Sequence, residues 1–175
     1  MIVAEFEKGW EIYFHKAHAL LAMDIGLSID HCYWPERKYL GAGLESIGEH
    51  DNGQPRWNER DNLTKEGEPL DYRQREKVDL KQAKSTVRQA QYKSSFIAIM
   101  VSLHCQNLYQ KSSDEKVLKF LAEQSNLRNQ YIKQINLDEK SIFQSYEFLR
   151  FCDDLSLALC QNEFLDQNGS EVNHF

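Results

Sequence analysis

The sequence predicts an all-α fold, a bundle of five or more helices preceded by a short N-terminal β-hairpin. Three observations predict it. Apolar residues recur at three- and four-residue spacing over most of the chain from His15 onward, strict apolar/polar alternation is confined to the first fourteen residues, and two of the three prolines fall in one stretch, 52–72. At 175 residues, 41% hydrophobic and 27% charged, the chain has the composition of one ordinary globular domain spanning 1–175.

Met1 to Phe14 alternates on either side of Glu7-Lys8-Gly9, which reads as a hairpin that must pack on the rest, because two strands alone are marginal. From His15 to about Ile25 the pattern is helical. Arg37 to Asn52 carries Leu40, Leu44 and Ile47 at helical spacing, with Gly53 placed as a left-handed cap. Asn52 to Tyr72 is longer than most connections in a compact domain and reads as a functional loop or lid. Three further helical segments follow: Gln74 to Ser112, open to a break near Lys93, then Asp114 to about Gln134, then Asp138 to about Phe164. The helical core is thus 15–164, and the polar tail 165–175 is expected to fray.

Several classes are excluded. The longest apolar run, Phe96 to Leu103, is too short to span a bilayer, and Glu5 and Glu7 interrupt any secretory leader. The four cysteines form no C-x-x-C pair, so reduced thiols in a cytoplasmic protein are expected. A net charge of −6 without a basic tract argues against nucleic acid, and Gly41-Ala42-Gly43 lacks the third glycine of a dinucleotide turn.

The informative residues are polar ones in register with apolar stripes, because positions three, four and seven apart share a helical face. Asp153 lies in the stripe Ile142, Tyr146, Leu149, Leu157, Cys160, whereas Asp154 points outward. Leu40, Leu44 and Ile47 lead to Asp51, with His50 on the edge. His18 shares a face with Leu21, Ala22 and Ile25, and Phe96, Ile99, Met100 and Leu103 lead to His104. Each alone reads as a satisfied core residue. Together they are three histidines and two aspartates carried inward on four helices, with no lysine or arginine in the stripes to balance the acids. A divalent cation is the economical counter-charge, and imidazole with carboxylate suits Mn, Fe, Co, Ni or Zn better than Ca. Glu49 falls opposite the stripe and is rejected as a base. Arg37, Lys38, Arg56 and Arg60 read as solvated charge before anion-steering groups. His15, three positions from His18, can approach the same face but opens the helix and is assigned to the turn after the hairpin; with His31 and His174 it is left out of the site. Tyr13, Trp34, Trp57, Tyr72 and Tyr109 read as packing residues before a ligand wall.

The order His18, His50-Asp51, Asp153 resembles the H…HD…D signature of the HD-domain superfamily, helical metal-dependent phosphohydrolases. The whole chain is similar to a bacterial family catalogued as a domain of unknown function and related to that superfamily. The resemblance runs through His18-Ala19-Leu20-Leu21-Ala22, His50-Asp51-Asn52-Gly53, Pro69-Leu70-Asp71-Tyr72, Val101-Ser102-Leu103-His104 and Asp153-Asp154-Leu155-Ser156-Leu157. It implies an HD-like helical bundle in which His18, His50, Asp51 and Asp153 hold a divalent metal, with His104 as a further ligand. Asp51 and His104 are then also the residues nearest the chemistry. The chain departs from the pattern in having Gln54 where the narrower family has an aromatic. It also offers one inward histidine, His104, between the His-Asp pair and the last aspartate, so one metal is expected before two. The implied activity is hydrolysis of a nucleotide or other phosphate ester, the implied partner a small phosphorylated anion, with neither nucleic acid nor membrane. The alternatives are a non-catalytic metal- or nucleotide-binding sensory domain, and a structural protein with core His–Asp hydrogen bonds.

Overall fold

The computed structural model describes residues 1–53, 62–75 and 78–162. Strands β1 (Ile2–Phe6) and β2 (Gly9–Tyr13) pair antiparallel from Ile2 opposite Tyr13 to Phe6 opposite Gly9, leaving Glu7-Lys8 as a two-residue turn. Gly9 adopts φ 147°, a conformation L side chains rarely take. The expected packing partner exists: Ile2, Val3 and Ala4 are buried, and β1 lies against the last helix. A clip holds it there. The Val3 N–H donates to Asp71 Oδ2 (2.8 Å), and the Tyr72 N–H donates to the Met1 carbonyl (2.9 Å).

Six α-helices follow among the described residues: α1 (His15–Ser28), α2 (Leu40–Glu49), α3 (Leu80–Gln91), α4 (Ser95–Tyr109), α5 (Glu115–Ile135) and α6 (Glu139–Cys160). Side-chain caps mark most of the starts. Asp79, Ser94, Asp114 and Asp138 each accept a backbone N–H from the first turn of the helix they precede. Asn136 in the left-handed region (φ 49°) ends α5. Helix α4 is the axis of the bundle. Every residue from Phe96 to Ser102 is buried, with α2 and α6 on one side and α3 and α5 on the other. One apolar cluster, including Ala22, Ile47, Phe96, Ile99 and Leu149, joins α1, α2, α4 and α6; another, including Val87, Ile97, Val101 and Phe120, joins α3, α4 and α5. No helix among the described residues is long and apolar enough to cross a membrane.

Four boundaries differ from the sequence expectation. Helix α1 runs to Ser28, beyond Ile25. Arg37–Tyr39 is a separate 3-10 turn, and α2 stops at Glu49, so His50 and Asp51 occupy the turn leaving the helix. Tyr72–Gln74 is also a 3-10 turn, capped reciprocally as Asp71 Oδ1 accepts the Arg73 N–H and Gln74 Oε1 accepts the Asp71 N–H, and α3 starts only after the Asp79 cap; the break near Lys93 is present. Finally, Gly53 is not a left-handed cap. Its hydrogen faces α3, where a Cβ would run into the Thr86 hydroxyl and stand 2.5 Å from the Gln82 carbonyl oxygen. Gly53→Ala should therefore destabilise the fold by about 1–3 kcal/mol through overpacking, measured as a lowered midpoint in urea. The expected end at Phe164 and the tail 165–175 lie outside the described residues.

Candidate metal centre

Four elements bring the polar residues together. His18 on the second turn of α1, His50 and Asp51 just past α2, His104 near the end of α4 and Asp153 midway along α6 meet on the inner side of the bundle. His18, His50, His104 and Asp153 are buried, while the Asp51 side chain is 20% exposed. That inverts the expected order at the His-Asp pair: leaving the helix turns the His50 ring fully inward and Asp51 toward an open cavity. Asp154 is exposed and pairs with Arg150, as its place on the helix implies.

The spacing is that of donors converging on one point. His50 Nε2 lies 3.1 Å from Asp153 Oδ1 and 4.0 Å from Asp51 Oδ2; His18 Nε2 lies 3.3 Å from Asp51 Oδ2 and 3.8 Å from Asp153 Oδ1; His104 Nε2 lies 3.9 Å from Asp153 Oδ2. Atoms that each bind one ion at about 2.0–2.2 Å are separated by about 3.0–3.6 Å, so small inward shifts suffice. His18, His50 and Asp51 form one group able to hold a cation, and His50, His104 and Asp153 form another, with His50 common to both.

The outer nitrogens decide what the inner ones can do. His50 Nδ1 is 2.5 Å from the Ile47 carbonyl, which only accepts, so Nδ1 carries a hydrogen. The Ser156 hydroxyl donates its one hydrogen to the Asp153 carbonyl (2.8 Å), so His18 Nδ1, 2.8 Å from Ser156 Oγ, must donate to it. In a neutral ring both Nε2 atoms then present lone pairs to carboxylate oxygens. Acceptor would face acceptor unless a proton or a metal ion lay between. His50 Nε2 and Asp153 Oδ1, despite their closeness, have no hydrogen-bond partner.

Electrostatics follow this arrangement. Burial opposes charge on His50, but the Asp153 and Asp51 carboxylates and the Ile47 carbonyl outweigh it and raise its pKa to about 9. Burial favours the neutral form of Asp51, yet His15, His18 and His50 hold it well below the usual carboxylate range. Asp153 is likewise lowered, against its burial, by His50, His104 and His18. His104 is pushed down to about 4, first by burial and then by positive charge on His50, so it stays a neutral imidazole. Among the described residues neither aspartate has a lysine or arginine within ion-pairing distance, and both face histidines instead.

Three contributors escaped the sequence reading. His15 is no mere turn residue: its Nδ1 is 3.1 Å from Asp51 Oδ2 and its ring is edge-on to Tyr72, 5.8 Å away. The signal was its three-residue offset from His18. Ser156, three after Asp153, buttresses His18. Arg75 lines the cavity of about 300 Å³ in front of the cluster, together with Tyr72, Tyr109 and Gln82, and nothing in its own spacing announced this. Other expectations hold: Glu49 turns away to Lys93 (3.1 Å), and His31, Arg37 and Lys38 are exposed, the last two at the far end of α2, about 15 Å along the helix. Trp34 is core, against Phe148. Gln54, Arg56, Trp57, Arg60 and His174 lie outside the described residues.

The family model described as Protein of unknown function (DUF3891) matches residues 1–175. No curated protein matches the chain, and no solved structure does. A match over the full length settles its membership: the chain belongs to the DUF3891 family.

Proposed function

We propose that this protein is a metal-dependent phosphohydrolase of HD-like architecture, acting in the cytoplasm on a nucleotide or other small phosphate ester, with His18, His50, Asp51, His104 and Asp153 holding one divalent ion. The observation that carries this is the pair of imidazoles, His18 and His50, whose Nδ1 atoms are fixed as donors by Ser156 and Ile47 and whose Nε2 atoms face the Asp51 and Asp153 carboxylates. Histidines whose other nitrogen is pinned by a neighbour are the usual pattern around a bound metal. The free state of all four cysteines fits a reducing compartment.

A divalent cation held there supplies Lewis acidity toward a phosphoryl oxygen and toward water. The chain's own part is placement. Asp51, at the cavity edge and kept ionised by His15 and His18, offers an oxygen to orient a water hydrogen. His104, neutral, offers a lone pair without bringing a competing positive charge. Ser156 acts through His18, and Ser156→Ala should lower ion affinity by about 10–100-fold with little change in helix content, read by competition against a chelating dye.

The test of function is elemental analysis of protein purified without chelator or nickel resin, followed by loading with Mn, Fe, Co, Ni or Zn and assay on nucleotides and phosphomonoesters. About one ion per chain and turnover are expected. No hydrolysis with any of the metals refutes the enzyme. A nucleotide that raises the melting temperature without being consumed would favour a binding or sensory domain instead.

A further inference from the structure

The cavity in front of the His/Asp cluster contains a cationic side chain that the cluster leaves unused. Arg75 sits among its lining residues with Tyr72, Asp79 and Gln82. Its backbone is well held. The Arg75 N–H donates to the Tyr72 carbonyl (3.3 Å), closing a turn that the Asp71 clip fastens to β1. Yet Arg75 Nε is buried without a hydrogen-bond partner, and among the described residues no carboxylate pairs with the guanidinium. Two other arginines behave otherwise: Arg73 Nε donates to Asp71 at 2.7 Å, and Arg128 donates to the Ser102 hydroxyl at 2.9 Å. A guanidinium keeps its charge at any working pH and presents a planar fork of donors matched to carboxylate or phosphate oxygens. A buried donor lacking an acceptor beside an open cavity is suited to an acceptor that arrives with a ligand.

The chemistry of the cavity narrows that ligand. Asp51 and Asp153 also line it and repel anions until a divalent cation balances them. An anion bound there must then satisfy the cation cluster and the fork together. A carboxylate engaged by both oxygens with arginine must share those same oxygens with the cluster, whereas a phosphoryl group has a third terminal oxygen and can serve both without sharing. At about 300 Å³ the cavity stands at the small end of ligand pockets, a fit for one phosphate and a modest organic group.

We propose that Arg75 is the anion-recognition residue of this cavity, binding the phosphoryl oxygens of a small phosphomonoester. This rests on the reading of the His/Asp cluster as a cation site. The test is calorimetric titration of manganese-loaded wild type, Arg75→Ala and Arg75→Lys with inorganic phosphate, and with acetate as the competing anion, alongside manganese content for each protein. Phosphate should bind the wild type in preference to acetate, about 10- to 100-fold more weakly to Arg75→Ala, with intermediate affinity for Arg75→Lys and unchanged manganese in all three. Phosphate affinity in Arg75→Ala within twofold of wild type overturns the proposal. So does acetate binding as well as phosphate, or loss of manganese in the arginine variants. Failure of the wild type to take up any of Mn, Fe, Co, Ni or Zn refutes the cation reading on which the proposal rests, whereas ion uptake with arginine-independent phosphate binding overturns Arg75's role alone.

Discussion

Asp153→Asn should lose more than about 100-fold in divalent-ion affinity and all metal-dependent turnover, a larger effect than loss of the supporting Ser156 hydroxyl. Asp153 lies within 4 Å of three imidazoles, at 3.1, 3.8 and 3.9 Å from His50, His18 and His104, and is more deeply buried than Asp51, which also faces three. The amide that replaces it has the same shape but no charge to balance an ion. The same change should weaken the ion-free fold by about 3 kcal/mol, because His50 is then a buried imidazole whose proton has lost its nearest counter-charge. The adjacent Asp154→Asn is the control: its side chain is 67% exposed and 3.8 Å from Arg150, so neither ion affinity nor urea midpoint should move appreciably. Equal behaviour of the two variants would remove Asp153 from any special role.

Ion-free and ion-loaded protein should respond to pH in opposite directions between about 6.5 and 9. In the ion-free fold the His50 pKa rises from 6.5 to about 9. A raised pKa contributes stability that is complete below the unfolded value and is lost as pH climbs through the folded one, so the ion-free protein should lose about 3 kcal/mol across that window. His104, lowered to about 4, is neutral in both states there and adds nothing; its effect lies below pH 6.5, where the unfolded chain takes a proton that the fold refuses. Asp51 and Asp153, both lowered, are ionised in both states throughout the window. With metal present the competing proton leaves, so ion affinity and the stability linked to it should rise with pH. Calorimetric melting at half-unit pH steps, with and without saturating manganese, checks both slopes. Parallel curves would mean that proton and ion do not share His50 Nε2.

The helices and the residues they bury were legible because each signal is local. Asp114 and Asp138 cap helices at the positions where the sequence starts them, Ser94 caps one next to the break near Lys93, and Asp153 sits in an unbroken apolar stripe whose 3.6-residue period has one reading. His15 was misjudged because a helix's first residue belongs to the turn and to the face at once, and only the position of Asp51 shows which matters. The relative burial of His50 and Asp51 depends on α2 ending at Glu49, after which Gly53 packs closely on α3, a contact between segments about thirty residues apart. Arg75 follows neither a stripe nor a cap. Its presence in the cavity depends on the Asp71 clip to β1, a tertiary contact that no spacing encodes.

The cluster draws on residues 135 positions apart, from His18 to Asp153, and the helix carrying the last of them is the final element described. During synthesis the first four donors leave the ribosome well before the fifth, and α4 has no α6 to pack against in the interval. On the proposed cation reading, loading with metal would follow completion of the bundle, because the full donor set exists only once α6 has arrived.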